Sequence, residues 1–249
     1  MIIFISFFEN MNDLFRAALH PKAYIIHTNM HHIVALYKPC DVMSIPNENQ
    51  QINLKSLIHM PYDFKQRCYF LPDHQKFFLL NRLDAPTSGI LVGCFDEQIA
   101  HIIRECFFKQ AVQKTYYALT RYKKIPEVGE FQDCLGEHFD RGHLRVIRGR
   151  GERAVAKYYV EKNLEFGETS ILKLRLEPIT GRTHQLRVQC ASRNIPIVGD
   201  KTSGDFLLNK KIRNISLNKR LYLQSCAIKF QYKLYGKEYL FSSEISCEF

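Results

Sequence analysis

The chain has no C-x-x-C pair. Its eight cysteines, at 40, 68, 94, 106, 134, 190, 226 and 247, have no second Cys or His at finger spacing, which argues against a structural zinc module. Acids are scarce as well: 25 Asp plus Glu face 35 Lys plus Arg, and the resulting +10 points to a polyanionic partner while saying nothing about fold. No apolar run reaches bilayer length. The opening MIIFISFF is cut by Glu9 and Asp13 and no Lys or Arg precedes it, so it reads as neither a leader nor a span; with Met11 just after it, the alternative is an upstream extension of the reading frame. Internal repeats, low-complexity tracts and Gly/Ser-rich linkers are absent. At 249 residues, 46% hydrophobic and 24% charged, the chain is long enough for one sizeable core and marginal for two. These features lead to an expected N-terminal extension over 1–23, a single domain over 24–249, reduced thiols and a cytoplasmic, membrane-free setting.

Patterning gives the fold class. YIIHTNMHHIVALYKP reads as two short strands turning near Thr28 and Asn29 and stopped by Pro39. From Phe77 to Gly93, apolar FFLL, the polar turn NRLDAPTSG and apolar ILVG read as strand, exposed loop, strand. Asp96 is placed to cap a helix with Ile99, Ile103, Phe107 and Ala111 on its inward face. Residues 112–122 alternate as a strand, and ILKLRLEP does so more cleanly, with Leu172, Leu174 and Leu176 on one side. Thr183 to Asn194 is expected to be helical, and Leu221–Tyr232 with Glu238–Ser243 to form a hairpin around LYGK. Strands outnumber helices, so the expected class is α+β: a mixed, mostly antiparallel sheet with flanking helices.

Two basic stretches interrupt this pattern. Residues 141–157 carry Arg141, Arg145, Arg148, Arg150, Arg153 and Lys157 against Glu152 alone; residues 209–220 carry Lys210, Lys211, Arg213, Lys219 and Arg220 with no acid. Either alone reads equally as a solvated face, but together they read as arms that follow phosphates. His27, His31 and His32 are close in sequence but have no acidic neighbour, so no metal site is expected.

Chemistry concentrates in two segments. Asn81-Arg82-Leu83-Asp84-Ala85-Pro86-Thr87-Ser88-Gly89 puts one acid in a turn between apolar strands, where it is either a turn former or a catalytic carboxylate. Thr180-Gly181-Arg182-Thr183-His184-Gln185-Leu186-Arg187 gathers two guanidinium groups, an imidazole and an amide after a well-formed strand. Arg is the natural partner of a partly buried Asp, since its planar fork binds a carboxylate bidentately and keeps it ionised.

The order of these segments is informative. Lys38-Pro39, Arg82-Leu83-Asp84 with Thr87-Ser88-Gly89, Lys114-Thr115-Tyr116 with Ala118, the 180–187 segment, and Pro196-Ile197 with Gly199-Asp200 together resemble the RluA family of RNA pseudouridine synthases, over nearly the whole chain from about residue 24. The resemblance implies the pseudouridine synthase fold and isomerisation of uridine to pseudouridine in RNA without metal or cofactor; tRNA or rRNA is the expected substrate, and a monomer is the default expectation. Carried over position by position, Asp84 is the catalytic carboxylate, Tyr116 the active-site aromatic and Arg187 the ion-pair partner of Asp84. Arg82, Arg182, His184 and Gln185 are expected to bind substrate, and Lys210, Lys211 and Arg213 to contact the RNA. The chain departs from the family pattern at Asn81, where His is common, at Cys40-Asp41 in place of an early Gly, at Ser203 and at Leu223-Gln224-Ser225. The competing expectation is a non-catalytic RNA-binding protein or chaperone on the same fold. A glycosidase ranks lower, because no second carboxylate stands out beside Asp84.

Overall fold

Strand β1 (Tyr24–Thr28) pairs antiparallel with β2 (Ile33–Lys38), a run whose six residues are all buried, ending on a lysine. The structure is a computed structural model that describes residues 13–48, 52–140, 143–166, 169–215 and 219–249; the MIIFISFF segment with Met11, and Arg141, lie outside the described residues. The chain divides into two compact units, Met1–Lys109 with Gln231–Ser243, and Gln110–Phe230 with Glu244–Phe249. Gln231–Ser243 thus returns to the first unit.

In the first unit, β3 (Tyr62–Asp63), β4 (Cys68–Phe70), β5 (Lys76–Leu79) and β6 (Ser88–Cys94) pair antiparallel in succession, and β6 also pairs with β2 in a register that sets Lys38 opposite Gly89. An isolated parallel bridge joins Met43 to Ser56. All seven residues of β6 are buried, which explains why its sequence is a continuous apolar run rather than an alternation. The Phe77 ring covers Gly93, where a Cβ would stand 2.2 Å from it. Helix α1 (Glu97–Phe108) starts as expected, with the Asp96 carboxylate accepting from Ile99 N–H at 2.8 Å, and it buries Ile99, Ala100 and Ile103. Ala111, expected on the same face, lies past the helix end and is exposed. Phe15, Ala18 and Leu19 are buried too, with the Phe15 ring against Phe77 at 4.5 Å between centroids.

The second unit is an antiparallel sheet in the order β12 (Leu223–Leu234), β7 (Gln113–Arg121), β11 (Thr169–Pro178), β10 (Glu152–Phe166), β8 (Val128–Asp140), β9 (His143–Arg148), with the first eight residues of β12 in this unit. Leu172, Leu174 and Leu176 face one core with Ala118, Ala156 and Ile197. That core is completed by Leu186 and Cys190 of helix α2 (Gln185–Ala191), which is shorter than the expected Thr183–Asn194 because His184 and Asn194 both have left-handed backbone. Helix α3 (Phe206–Ile215) packs Leu208 and Ile212 against Leu119, Ile171, Val198 and Tyr222. The expected late hairpin is β12 with β13 (Lys237–Glu244), turning at Tyr235 and Gly236, both at positive φ as a primed turn requires. Among the described residues, no helix is long and apolar enough to cross a membrane.

Candidate active site

Asp84 lies in the first unit, partly buried, in the loop between β5 and β6, where Thr87 N–H donates to its carbonyl at 3.0 Å and closes a tight turn. The carbonyls around it are held one by one. Lys38 Nζ donates to Ala85 O at 2.9 Å and also to Val42 O and Pro39 O at 2.6 and 2.9 Å. Ser44 Oγ donates to Leu83 O at 2.8 Å and accepts from Leu83 N–H at 3.0 Å, and the Cys40 thiol donates to Pro86 O at 3.0 Å. Asn81, where the family pattern commonly has His, accepts from Val92 N–H at 2.7 Å and ties the loop to β6. The backbone that a glycine would favour survives at Asp41, whose φ is +61°, a conformation Asp tolerates better than most residues. Arg82 is exposed on the same loop.

Lys38 was visible in the sequence only as part of a motif; its role as the clamp on the Asp84 turn comes from the structure. It is fully buried. Burial pushes its ammonium down to about 8, against the opposing pull of Cys40, Asp84 and Asp41. An ammonium has three N–H donors for its three carbonyls and a neutral amine only two. Turnover is therefore expected to fall as pH rises past about 8. The global fold moves the other way: between about 8 and the free-lysine value of 10.5 the unfolded chain holds the proton more tightly, so this group adds stability as pH rises through that window. An alkaline loss of kcat with an undiminished melting temperature thus reports loosening of the turn. Lys114, which burial also pushes to about 8, donates to Thr180 O at 3.3 Å and is the competing source of that limb. The limb should survive in Lys114→Arg; a pH profile that becomes flat in that variant refutes the assignment to Lys38.

In the second unit, Tyr116 stands on β7 opposite Leu176 on one side and Ser225 on the other, and packs partly buried against the core. The 180–187 segment is braced from within. Gln185 is 4% exposed; its Oε1 accepts from Thr180 Oγ1 at 2.7 Å and from Arg182 N–H at 3.0 Å, and its Nε2 donates to Val155 O at 3.0 Å. Arg182 is exposed, donating to Arg153 O at 3.2 Å and pairing with Glu152. It borders a cavity of about 410 Å3 together with Thr183, Gly136 and Gly151. A Cβ on Gly151 would meet Leu135 O at 2.2 Å, so the glycine permits the close chain approach that forms this wall.

Arg187 is 4% exposed on α2 and makes a bidentate pair with Asp200, itself 1% exposed: Nε to Oδ2 at 2.8 Å and Nη2 to Oδ1 at 2.9 Å, with Nη2 also donating to Thr202 Oγ1 at 2.9 Å. Thr202 and Ser203 N–H groups donate to Asp200 Oδ1 at 2.8 and 3.0 Å. Burial pushes the Asp200 carboxyl up, but these donors outweigh it and hold it below the ordinary carboxylate range. Gly199-Asp200 stood in the sequence pattern without a role, and the structure supplies one. Lys210, Lys211 and Arg213 are exposed on α3, opposite its buried Leu208 and Ile212. Among the described residues, no group of three His, Cys, Asp or Glu is placed to hold a metal ion.

The RNA pseudouridylate synthase family model matches residues 32–192, running through Asp84, Tyr116 and Arg187. The chain belongs to this family. Over 167 residues it is 33% identical to tRNA pseudouridine synthase C of Vibrio cholerae, covering 64% of this chain and 68% of that protein. It is 32% identical over 166 residues to ribosomal large subunit pseudouridine synthase C of Rickettsia felis, covering 65% of this chain and 51% of that protein. Among solved structures, human RNA pseudouridylate synthase domain containing 1 superposes with a TM-score of 0.66 at 20% identity, over 90% of this chain and 84% of that one, a likeness of fold.

Proposed function

We propose that this synthase isomerises specific uridines of tRNA or rRNA, with Asp84 as the essential carboxylate, Tyr116 as the aromatic against the base and Arg187 as the ion-pair partner of Asp84. The observation that carries the reading is the family match whose span, residues 32–192, includes all three positions, joined to a turn whose carbonyls at 83, 85 and 86 are each held by a separate side chain. Such a turn presents one carboxylate rigidly, as covalent or base catalysis requires. The reaction breaks the C1′–N1 bond and forms C1′–C5; C5 loses a proton and N1 gains one. Substrate and product share their atoms, so no electron or group donor is consumed. Tyr116 can stack on the uracil and its hydroxyl assist removal of the C5 proton. The uridine must first leave its stack, at a cost of a few kcal/mol that stacking and phosphate contacts offset. Arg82, Arg182, His184 and Gln185 shape the substrate site, Gln185 by bracing its loop. We read the enzyme as a cytoplasmic monomer that needs no metal.

The decisive experiment maps pseudouridine in total tRNA and rRNA by carbodiimide modification and reverse-transcriptase stops, in cells with the gene, without it, and with Asp84→Asn. A stop that disappears in both altered strains carries the reading and names the substrate. Stops that persist in both leave a non-catalytic RNA-binding protein.

A second prediction concerns α3. Replacing Lys210, Lys211 and Arg213 by Ala removes three exposed cations and should weaken RNA binding while lowering the slope of log K against log salt by about 2, with kcat at saturating RNA retained. An unchanged slope takes α3 off the RNA surface.

A further inference from the structure

Helix α3 exposes more than cations. Its first two residues, Phe206 and Leu207, are 66% and 76% exposed, while Leu208 and Ile212 are buried against Leu119, Ile171, Val198 and Tyr222. A single exposed apolar side chain needs no explanation, but two in succession at one end of a helix, on a chain of net charge +10, do. The helix is firmly seated. Asp205 Oδ1 accepts from Leu207 and Leu208 N–H, both at 3.0 Å, and its Oδ2 pairs with Arg121 Nη1 at 3.4 Å. Asn209 Oδ1 accepts from Gly199 N–H at 2.7 Å, and its Nδ2 donates to Asp200 O at 3.0 Å. Gly204 permits this approach, since a Cβ there would stand 2.1 Å from Asp200 O. Helix α3 is therefore fixed to the segment that Arg187 grips.

What that seat presents is one pattern made twice. Residues four apart on a helix are neighbours, about 6 Å apart along the axis, so Lys210 adjoins Phe206 and Lys211 adjoins Leu207. Arg213 continues the stripe of Phe206 and Lys210, and the helix carries no acid. An unpaired nucleotide joins the matching parts: a base with open π-faces and, one sugar away, a phosphate. A base stacked inside an A-form duplex offers no such face. We propose that α3 reads an unpaired nucleotide of the RNA, Phe206 stacking on its base beside Leu207 while Lys210, Lys211 and Arg213 hold the adjoining phosphates. This rests on the RNA synthase reading and sharpens it, since it commits the substrate to a loop or bulge rather than a continuous duplex. A membrane surface fits the helix less well. An interfacial helix needs its main apolar face for the bilayer, and that face of α3, with Leu208 and Ile212, is turned to the core.

The test measures fluorescence anisotropy of two labelled RNAs with the full chain at low salt: a hairpin with an unpaired loop of uridine and adenosine, and an uninterrupted duplex of the stem sequence. Phe206→Ala should weaken hairpin binding about ten-fold and duplex binding by no more than about two-fold, with the salt slope unchanged. Phe206→Leu, which keeps apolar area and loses the ring, should bind the hairpin as poorly, and Phe206→Tyr should bind it like the parent. Lys210→Ala should weaken both RNAs and lower the salt slope by about one. Equal loss on hairpin and duplex, no loss in Phe206→Ala, or a Phe206→Leu protein that matches the parent overturns this proposal alone. A parent chain that binds neither RNA overturns it together with the RNA reading, which the pseudouridine map tests separately. Co-sedimentation with phosphatidylglycerol vesicles, or a dimer in sedimentation equilibrium, that Phe206→Ala abolishes assigns the face to a membrane or to a second copy and overturns it as well.

Discussion

Asp84→Asn is expected to lower kcat by at least about a thousand-fold while leaving RNA affinity within a few-fold of the parent value. Asparagine has the same shape and lacks only the charge. The turn is held through its backbone: Thr87 N–H bonds the residue's carbonyl, and the neighbouring carbonyls of Leu83, Ala85 and Pro86 accept from Ser44, Lys38 and Cys40. The fold should therefore persist and the loss should fall on the chemical step. Release of tritium from RNA made with C5-labelled uridine, under single-turnover conditions, reads the step directly, and filter binding of the same RNA reads the affinity. A variant that turns over within about ten-fold of the parent would mean that Asp84 is only a turn former, the plain reading of an acid in such a loop.

How much of this was legible depended on whether a residue's partner is announced by periodicity. Leu172, Leu174 and Leu176 alternate with Lys173 and Arg175, and the strand lies where the alternation puts it. Asp96 precedes an apolar face at helical spacing and caps that helix. Helix α3 was hidden because its Leu208 and Ile212, one turn apart, sit among lysines that dominate the composition. The strands from Val128 to Phe166 were missed for a related reason: the arginines of β9 and of the turn before β10 mask the short buried run Ala154-Val155-Ala156. Clamps such as Lys38 on Ala85 O depend on backbone carbonyls, which every residue has, so no side-chain pattern marks them. The return of Gln231–Ser243 to the first unit likewise has no compositional signal. For the candidate site, the motifs single out Asp84, Tyr116 and Arg187 as the proposed residues, while the carboxylate that Arg187 grips, Asp200, became legible only in three dimensions.

That grip sets the largest stability effect. Asp200→Asn should destabilise the protein by about 3–5 kcal/mol, because a guanidinium buried at 4% exposure loses the carboxylate that it grips bidentately. Part of the cost comes from the amide itself, which must turn one N–H2 toward donors: Arg187 and the Thr202 and Ser203 N–H groups all point at the two oxygens. Replacing both members of the pair by apolar residues of similar volume should cost less than the single change, since desolvating two charges offsets much of what their attraction returns. The pH dependence has a definite sign. With its folded value below 3.8, Asp200 contributes stability that is complete above the unfolded carboxylate value and is lost as pH falls through the lowered one. Urea unfolding of the parent, Asp200→Asn and the Arg187→Met/Asp200→Leu double variant, at neutral pH and near pH 3, measures all of this. A single variant as stable as the parent at neutral pH, or one that keeps the parent's full acid sensitivity, would show that the pair does not hold α2 to the segment after Gly199. A stable but inactive Arg187→Met/Asp200→Leu protein would separate the pair's part in folding from the part proposed for Arg187 in catalysis.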